Sequence, residues 1–229
     1  MKKSIKIIVA GIVSVSVLGF AFYWNHPAHI YGREISQLRK IYLSDSQNSI
    51  TPLLDRTTAG GDWGKLERAV KDYVRNRLES LSTLKEIQSD EELNTALDAD
   101  KLRANAPEFK DILTKLKNAK TTFETAREKY NKVKTIDAAV EQIGNELNDE
   151  FKNRYREELG KDFADEDSHV NYADAFKMIQ GMLDTYIAEL ELLAKYPKAW
   201  NADGKEIKFS DSSVKKQYYD ILEKVKTIK

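Results

Sequence analysis

The pattern of apolar and polar positions changes sharply near the start of the chain. Residues 7–24 read IIVAGIVSVSVLGFAFYW and carry no charge. As a helix this segment would rise roughly 27 Å, close to the ~30 Å hydrocarbon core of a bilayer. Lys2, Lys3 and Lys6 precede the segment and aromatic residues end it. We therefore predict a transmembrane signal-anchor over 7–24, with residues 1–6 in the cytoplasm and the bulk of the chain extracytoplasmic.

A cleaved signal peptide is the alternative for the same segment. Cleavage needs small residues just before the cut, whereas the apolar run ends in the bulky sequence Phe-Ala-Phe-Tyr-Trp. The sequence favours retention as an anchor, and it leaves the question of cleavage open.

Apolar residues recur at steps of three and four after a juxtamembrane linker at 25–29, which Pro27 interrupts. Such steps are typical of amphipathic helices. Capping residues mark where several of these helices begin. We predict a helix over Ile30–Leu43 and a second from the N-cap Asp62 to Ile87. A third is predicted over Leu93–Leu102, after a capping box formed by Ser89 and Glu92. Two more are predicted from Tyr172 to Leu193, before Pro197, and after the caps Ser210 and Asp211.

The longest periodic segment follows Pro107, a residue suited to a first helical turn. Its apolar positions alternate in steps of three and four, which is a heptad pattern. They are Phe109, Ile112, Leu116, Ala119, Phe123, Ala126, Tyr130 and Val133. The pattern slips near Thr135, so residues 107–158 form either one helix with a phase slip or two helices that meet there. Gly160 is the predicted C-terminal stop.

One short segment lacks helical periodicity. Residues 200–209 predict a small β-hairpin with Asp203-Gly204 as its turn. The predicted fold class is therefore all-α: a single N-terminal transmembrane helix followed by an extracytoplasmic helical bundle over 30–229, with long heptad-patterned helices and one small hairpin.

Charge and cysteine content narrow the classes of partner. The chain has 37 basic and 37 acidic residues, and removing the three N-terminal lysines leaves 34 against 37. No basic stripe follows the remaining chain, so no nucleic-acid partner is expected. The chain has no cysteine and no N-x-Ser/Thr site, which favours a bacterial cell envelope over a eukaryotic secretory pathway.

Two groups of residues resemble metal ligands without fulfilling the pattern. His26 and His29 form a close pair, but Pro27 lies between them. The second group alternates like a calcium loop: Asp165, Asp167, His169, Asn171 and Asp174. An EF-hand needs glycine at position six and glutamate at position twelve, and those positions hold Val170 and Phe176. We predict no metal and no cofactor.

Tyrosine is abundant, with 11 residues, and six tyrosines lie on the helical stripes: Tyr73, Tyr130, Tyr155, Tyr172, Tyr186 and Tyr218. We predict that they form the bundle core with their hydroxyls at its rim. The alternative is a tyrosine-lined groove for a peptide or glycan, which Trp63, Trp200 and Phe209 would join. Those three residues are expected instead to close the ends of the bundle.

No catalytic or cofactor motif is present, so the sequence predicts that the chain is not an enzyme. The anchor and the heptads predict a membrane-anchored interaction or scaffold protein of the cell envelope. Its partners would be the bilayer through residues 7–24 and a protein partner, or a second copy of itself, through helical surfaces. The alternative function is an anchored module that binds a small ligand or a cell-wall fragment.

Overall fold

The computed structural model describes residues 25–42, 50–162, 172–203 and 206–226. These residues are mostly helical, at 78% helix, with one two-stranded antiparallel sheet. The predicted cytoplasmic segment 1–6 and anchor 7–24 lie outside them. Within the described ranges, no helix is long and apolar enough to cross a membrane.

The described residues form ten helices and one hairpin. In chain order they are α1 (Pro27–Tyr42), α2 (Thr51–Leu54), α3 (Gly61–Ser89), α4 (Glu91–Asn94), α5 (Ala99–Asn105), α6 (Lys110–Val133), α7 (Ile136–Ile143), α8 (Asp149–Asp162), α9 (Tyr172–Lys195), β1 (Trp200–Asp203), β2 (Glu206–Phe209) and α10 (Ser212–Lys226).

The chain divides into two compact helical units. The first unit contains the described residues up to Arg75 and those from Thr135 to 162, and the second contains Asn76–Lys134 and the described residues from 172 to 226. Helix α3 contributes its first half to the first unit and its second half to the second. The single domain predicted over 30–229 stays a prediction.

The core of the first unit comes from one face of each of its helices. Helix α1 buries Tyr31, Ile35, Leu38 and Tyr42, which follow the three- and four-residue steps of an amphipathic helix. The other helices add Leu66, Val70, Tyr73, Val74, Val140, Phe151, Tyr155 and Leu159. The ring of Trp63 lies 5.3 Å from that of Tyr31 and 5.1 Å from that of Phe151.

Two helix starts of the first unit differ from the prediction. Helix α1 begins at Pro27 rather than Ile30, because proline has no N–H to lose in a first turn and its φ already suits the helix. The predicted linker 25–29 is therefore partly helical. Helix α3 begins at Gly61, whose φ is +59°, so Asp62 lies in the first turn instead of at the N-cap.

The heptad stripe of α6 is buried inside the second unit, as predicted for a bundle. Seven of its eight residues are buried, and the eighth, Ala119, is half-buried. Helix α6 packs on α9, where the ring of Phe176 lies 5.7 Å from Phe123 and 4.8 Å from Tyr130. The stripe is thus covered by other helices of the same chain.

The phase slip near Thr135 marks a boundary between helices. Helix α6 ends at Val133, and Thr135 is extended at φ −135°, where its hydroxyl accepts a hydrogen bond from the Ala138 N–H at 3.1 Å. Thr135 is therefore the N-cap of α7. Helix α7 ends at Ile143, and its C-cap Gly144 has a φ of +56°.

The predicted stop at Gly160 is wrong. Helix α8 continues to Asp162, and the described glycines with positive φ are Gly61 and Gly144. A glycine stops a helix by adopting the left-handed conformation, which Gly160 does not adopt.

Local details of the second unit also differ from the sequence prediction. The cap before α4 is Asp90, whose carboxylate accepts hydrogen bonds from the N–H groups of Glu92 and Leu93, instead of Ser89. The helix predicted over Leu93–Leu102 is divided between α4 and α5. Helix α6 begins at Lys110, beyond the first turn that Pro107 predicted.

The small sheet and the last helix agree with the prediction. Strands β1 and β2 pair with Trp200 opposite Phe209 and Asp203 opposite Glu206. The predicted turn residue Gly204 lies outside the described residues. The Asp211 carboxylate accepts hydrogen bonds from the Ser213 and Val214 N–H groups at 2.8 and 3.1 Å, which confirms it as the cap of α10.

The heptad stripe generates a stability prediction. Phe123→Ala should lower the free energy of unfolding by roughly 3–5 kcal/mol, because Phe123 is fully buried and its removal leaves a cavity. Urea unfolding of the full chain in detergent measures the loss. Thr122→Ala, on the exposed side of α6, should change stability by less than about 0.5 kcal/mol. A variant that keeps wild-type stability but changes its oligomeric mass would show that the stripe is a self-association seam instead.

Candidate functional site

A buried ionic network, which we define as Glu34, Arg56, Glu67 and Lys71, lies in the first unit. Lys71 and Glu67 are one helical turn apart on α3 and are 1% and 0% exposed. The Lys71 ammonium donates three hydrogen bonds: to Glu67 Oε1 at 2.7 Å, to Glu34 Oε1 at 2.8 Å and to the Arg56 carbonyl at 2.8 Å. Lys71 therefore uses all three of its donors.

The two carboxylates of the network are also fully engaged. Arg56 donates to both oxygens of Glu34, at 2.9 and 3.0 Å. Burial opposes ionisation of Glu34, but hydrogen bonds from Arg56 and Lys71 outweigh it and hold the pKa of Glu34 below its usual value. Glu67 accepts hydrogen bonds from the backbone N–H groups of Thr58 and Ala59. The network thus connects the loop at 55–60 to α1 and α3.

Close backbone packing accompanies these bonds. A Cβ atom added to Gly64 would lie 2.5 Å from the Ala59 carbonyl oxygen, a distance that no side chain tolerates against backbone. Glycine at this position lets the loop approach α3 closely enough for its N–H groups to reach Glu67. The sequence analysis missed this network, and the only hint of it was the Glu67/Lys71 spacing next to a glycine-rich loop.

Among the described residues of the second unit, the one buried acid is Glu189 on α9, which is 0% exposed. Neither of its carboxylate oxygens has a hydrogen bond of full geometry. Burial raises the pKa of Glu189, a partial interaction with the Tyr218 hydroxyl of α10 lowers it by less, and the resulting pKa is about 7. Glu189 can therefore gain or lose a proton near neutral pH while remaining enclosed.

The titratable groups that interact with Glu189 are the phenols of Tyr218 and Tyr186. The pKa of Tyr218 is raised by burial and then by the negative charge of Glu189. The pKa of Tyr186 is raised by burial and then by Glu189 and Asp98. No basic side chain is among the groups that shift the pKa of Glu189. Within the described residues the arrangement is that of a buried, proton-binding acid without a counter-ion.

Sequence reasoning missed Glu189 because it lies beside the predicted stripe of α9, whose members include Tyr186, Leu190 and Leu193. Helix α9 also buries a second face, on which Gly181, Thr185 and Glu189 follow at four-residue intervals. A second buried face depends on tertiary packing, and a glutamate next to an apolar stripe is usually solvated.

The predicted metal-ligand groups have different outcomes. The rings of His26 and His29 lie 6.1 Å apart, near the start of α1. Asp165, Asp167, His169 and Asn171 lie outside the described residues, and Asp174 pairs with Lys177 at 3.9 Å. Among the residues that the structure describes, no group of three or more His, Asp or Glu side chains could hold a metal ion.

The tyrosines of the helical stripes mostly lie in the cores. Tyr73, Tyr130, Tyr155 and Tyr218 are buried, and Tyr172 and Tyr186 are half-buried. The Tyr155 hydroxyl donates to the Ala69 carbonyl at 3.3 Å. This burial agrees with the predicted role of these tyrosines in the bundle core.

Two of the other aromatic residues also pack in the second unit. The indole N–H of Trp200 donates to the Leu193 carbonyl at 2.9 Å, and its ring lies 5.8 Å from Phe109. Phe209 lies 5.1 Å from Tyr218. In the first unit, the Arg154 guanidinium lies 5.1 Å above the ring of Trp63, within the range of a cation–π contact.

Comparison with known proteins adds no relative: no family model, curated protein or solved structure matches this chain. The candidate features are therefore known only from their own geometry. They are the buried ionic network of the first unit and the enclosed Glu189 of the second.

The buried ionic network generates the second prediction. Lys71→Met should lower the free energy of unfolding by roughly 3–5 kcal/mol, because it leaves Glu67 buried without its cation and Glu34 with Arg56 alone. Lys65→Met is the matched control on the same helix, since Lys65 pairs with Asp62 at the exposed surface. It should cost at most about 1 kcal/mol. Urea unfolding measures both, and equal losses would contradict the structural role of the network.

The third prediction concerns pH. The pKa of Glu189 is higher in the folded chain than the ordinary 4.5, so its contribution to stability is complete below about pH 4.5 and is lost as pH rises through about 7. The wild-type second unit should therefore lose about 2–3 kcal/mol of stability between pH 5 and pH 8 beyond what Glu189→Gln loses. The fluorescence of Trp200, monitored during urea unfolding in a Trp24→Phe/Trp63→Phe background, measures this loss of stability.

Glu191→Gln is the control for this experiment, because Glu191 lies on the exposed side of α9 and pairs with Lys117 at 2.7 Å. It should keep the wild-type slope of stability against pH. If Glu189→Gln kept that slope as well, Glu189 would not be the titrating group.

Proposed function

We propose that this chain is a non-enzymatic interaction protein of the cell envelope. Residues 7–24 hold it in a membrane, with the N-terminus in the cytoplasm and the helical units extracytoplasmic. It binds a protein partner or a second copy of itself through a helical surface. The observation that carries this proposal is the exposure of large apolar side chains on two helices of the second unit.

Met178 on α9 and Tyr219 on α10 are the exposed large hydrophobic residues of the described chain, at 64% and 50%. Each has a half-buried apolar neighbour about one helical turn away, Met182 and Leu222 respectively. Exposed charged residues are next to both in the sequence: Lys177 beside Met178, and Lys216 and Asp220 near Tyr219. Methionine and tyrosine are enriched at protein interfaces, where methionine adapts its shape and tyrosine adds rigid contact area.

The buried polar groups support the non-enzymatic part of the proposal. Glu67 is enclosed and its oxygens are occupied by backbone N–H groups and by Lys71. Glu189 is likewise enclosed, with no surface on which it could contact a substrate. The acids whose surroundings are most unusual therefore act inside the fold.

The fourth prediction tests this surface in living cells. A photo-crosslinking amino acid at Met178 or at Tyr219 should give a discrete crosslinked product, with the mass of a dimer for self-association or a constant larger mass for another partner. The product should remain in the membrane pellet after an alkaline carbonate wash. Lys177 and Lys216 are the matched control positions, because they are exposed on the same two helices.

Crosslinking of equal yield at all four positions would indicate random collision and would contradict the proposed surface. Release of the whole chain by the carbonate wash would contradict the anchor. If carbonate released a discrete crosslinked product, the result would support the interaction and contradict the membrane anchor.

A further inference from the structure

Helix α1 presents an outward face that carries cations and no exposed acid. Its exposed residues within the helix are Gly32, Arg33, Ser36, Gln37 and Lys40. The one acidic residue of this helix, Glu34, points the other way and is bound in the buried ionic network. The fold therefore places the carboxylate of α1 inside and two of its cations, Arg33 and Lys40, outside, whereas the third, Arg39, is half-buried and pairs with Glu158 at 3.0 Å.

The shape of this face suits a broad, flat partner. Ala28, Gly32 and Ser36 follow at four-residue intervals and keep the centre of the face low, and a Cβ added to Gly32 would meet nothing within 4 Å. The same residues line an open depression of about 510 Å³ together with His29, Arg33, Gln37 and Lys40. Basic side chains thus border a shallow surface formed by small residues.

The position of α1 in the chain limits what can lie opposite this face. Helix α1 begins at Pro27, three residues after the end of the apolar run 7–24. Three residues span at most about 11 Å of extended chain. The head-group layer of a bilayer adds about 5–8 Å to each side of the hydrocarbon core, and charges interact over a Debye length of about 8 Å.

We propose that the outward face of α1 docks on anionic lipid head groups of the membrane that holds residues 7–24. This inference rests on the proposed anchor, because the anchor places the first turn of α1 at the bilayer surface. Arg33 and Lys40 contact the lipid phosphates. The small residues between them allow the helix backbone to approach the head-group layer.

The proposed docking predicts a measurable change in the equilibrium between the docked and undocked states of α1. A lysine or arginine near an anionic membrane surface strengthens association by about fivefold, so reversing Arg33 and Lys40 removes at least about 25-fold in the docking equilibrium. Neutral lipid should have the same effect on the wild-type chain. Raising the salt concentration should weaken docking as well, since exposed charges are screened.

The experiment uses the full chain in lipid nanodiscs. The chain has no cysteine, so a single Ser36→Cys substitution gives a unique site for a fluorescent label on the outward face. Gln142→Cys, which is exposed on α7 of the same unit, is the control site. Lipids with a nitroxide on the head group report contact by quenching the label, in discs of phosphatidylcholine alone or with about 30% phosphatidylglycerol.

We expect the label at position 36 to be quenched more strongly in the anionic discs, and the label at position 142 to be quenched equally weakly in both. Arg33→Glu/Lys40→Glu should abolish the difference at position 36. Lys65→Glu/Arg68→Glu reverses two exposed cations on α3 of the same unit and should preserve it. Circular dichroism confirms that each variant is folded.

The two proposals fail in different ways in this experiment. A chain that elutes apart from the discs has no anchor, which overturns the proposed function and this inference together. A chain that stays with the discs but shows no lipid-dependent quenching at position 36 overturns only the docking of α1. Two other results also overturn the docking of α1. One is lipid-dependent quenching that survives Arg33→Glu/Lys40→Glu. The other is burial of position 36 by a second copy of the chain in both lipids.

Discussion

The ammonium group of Lys71 has to keep three acceptors once it leaves water, and this requirement organises the first unit. A buried charge is tolerated only when it is paired and hydrogen-bonded, so the acceptors must come from whatever packs around it. They come from α1, from α3 and from the loop at 55–60. The loop is also fixed by hydrogen bonds from its backbone N–H groups to Glu67. One cation therefore holds α1, α3 and the loop together.

The second unit treats a buried acid in the opposite way. Among the described residues no basic side chain shifts the pKa of Glu189, and burial raises that pKa to about 7, so the protonated form persists up to neutral pH. In the first unit, Glu34 is kept ionised by Arg56 and Lys71. The two units therefore respond to acid with opposite signs. Loss of ionisation weakens the contacts of Glu34, whereas it relieves the cost of burying Glu189.

The sequence predicted what depends on local periodicity. The heptad stripe, the start of α9, the hairpin and the Asp211 cap all follow from spacing within a few residues, and the structure contains them. The buried polar groups could not be predicted in this way. Whether Lys71 or Glu189 is buried depends on elements distant in sequence, and pattern analysis assigns lysine and glutamate to the solvent-exposed face of a helix.

The errors at helix ends have a related cause. Ser89 with Glu92 and Asp90 are adjacent candidates for the same cap, and the structure uses Asp90 because its carboxylate meets two free N–H groups. Gly160 lies in a helix because nothing requires a left-handed residue there. A capping motif or a glycine permits a helix boundary, and packing decides whether the chain uses it.

The close approach at Gly64 constrains how this sequence can change over time. A side chain at position 64 would push the backbone at Ala59 away and withdraw the amide groups that satisfy Glu67, whereas a side chain at Gly60 would meet open space. Two glycines four residues apart are therefore under different selection. In any descendant that keeps Lys71 and its acceptors, position 60 can accept other residues, whereas position 64 can accept only glycine.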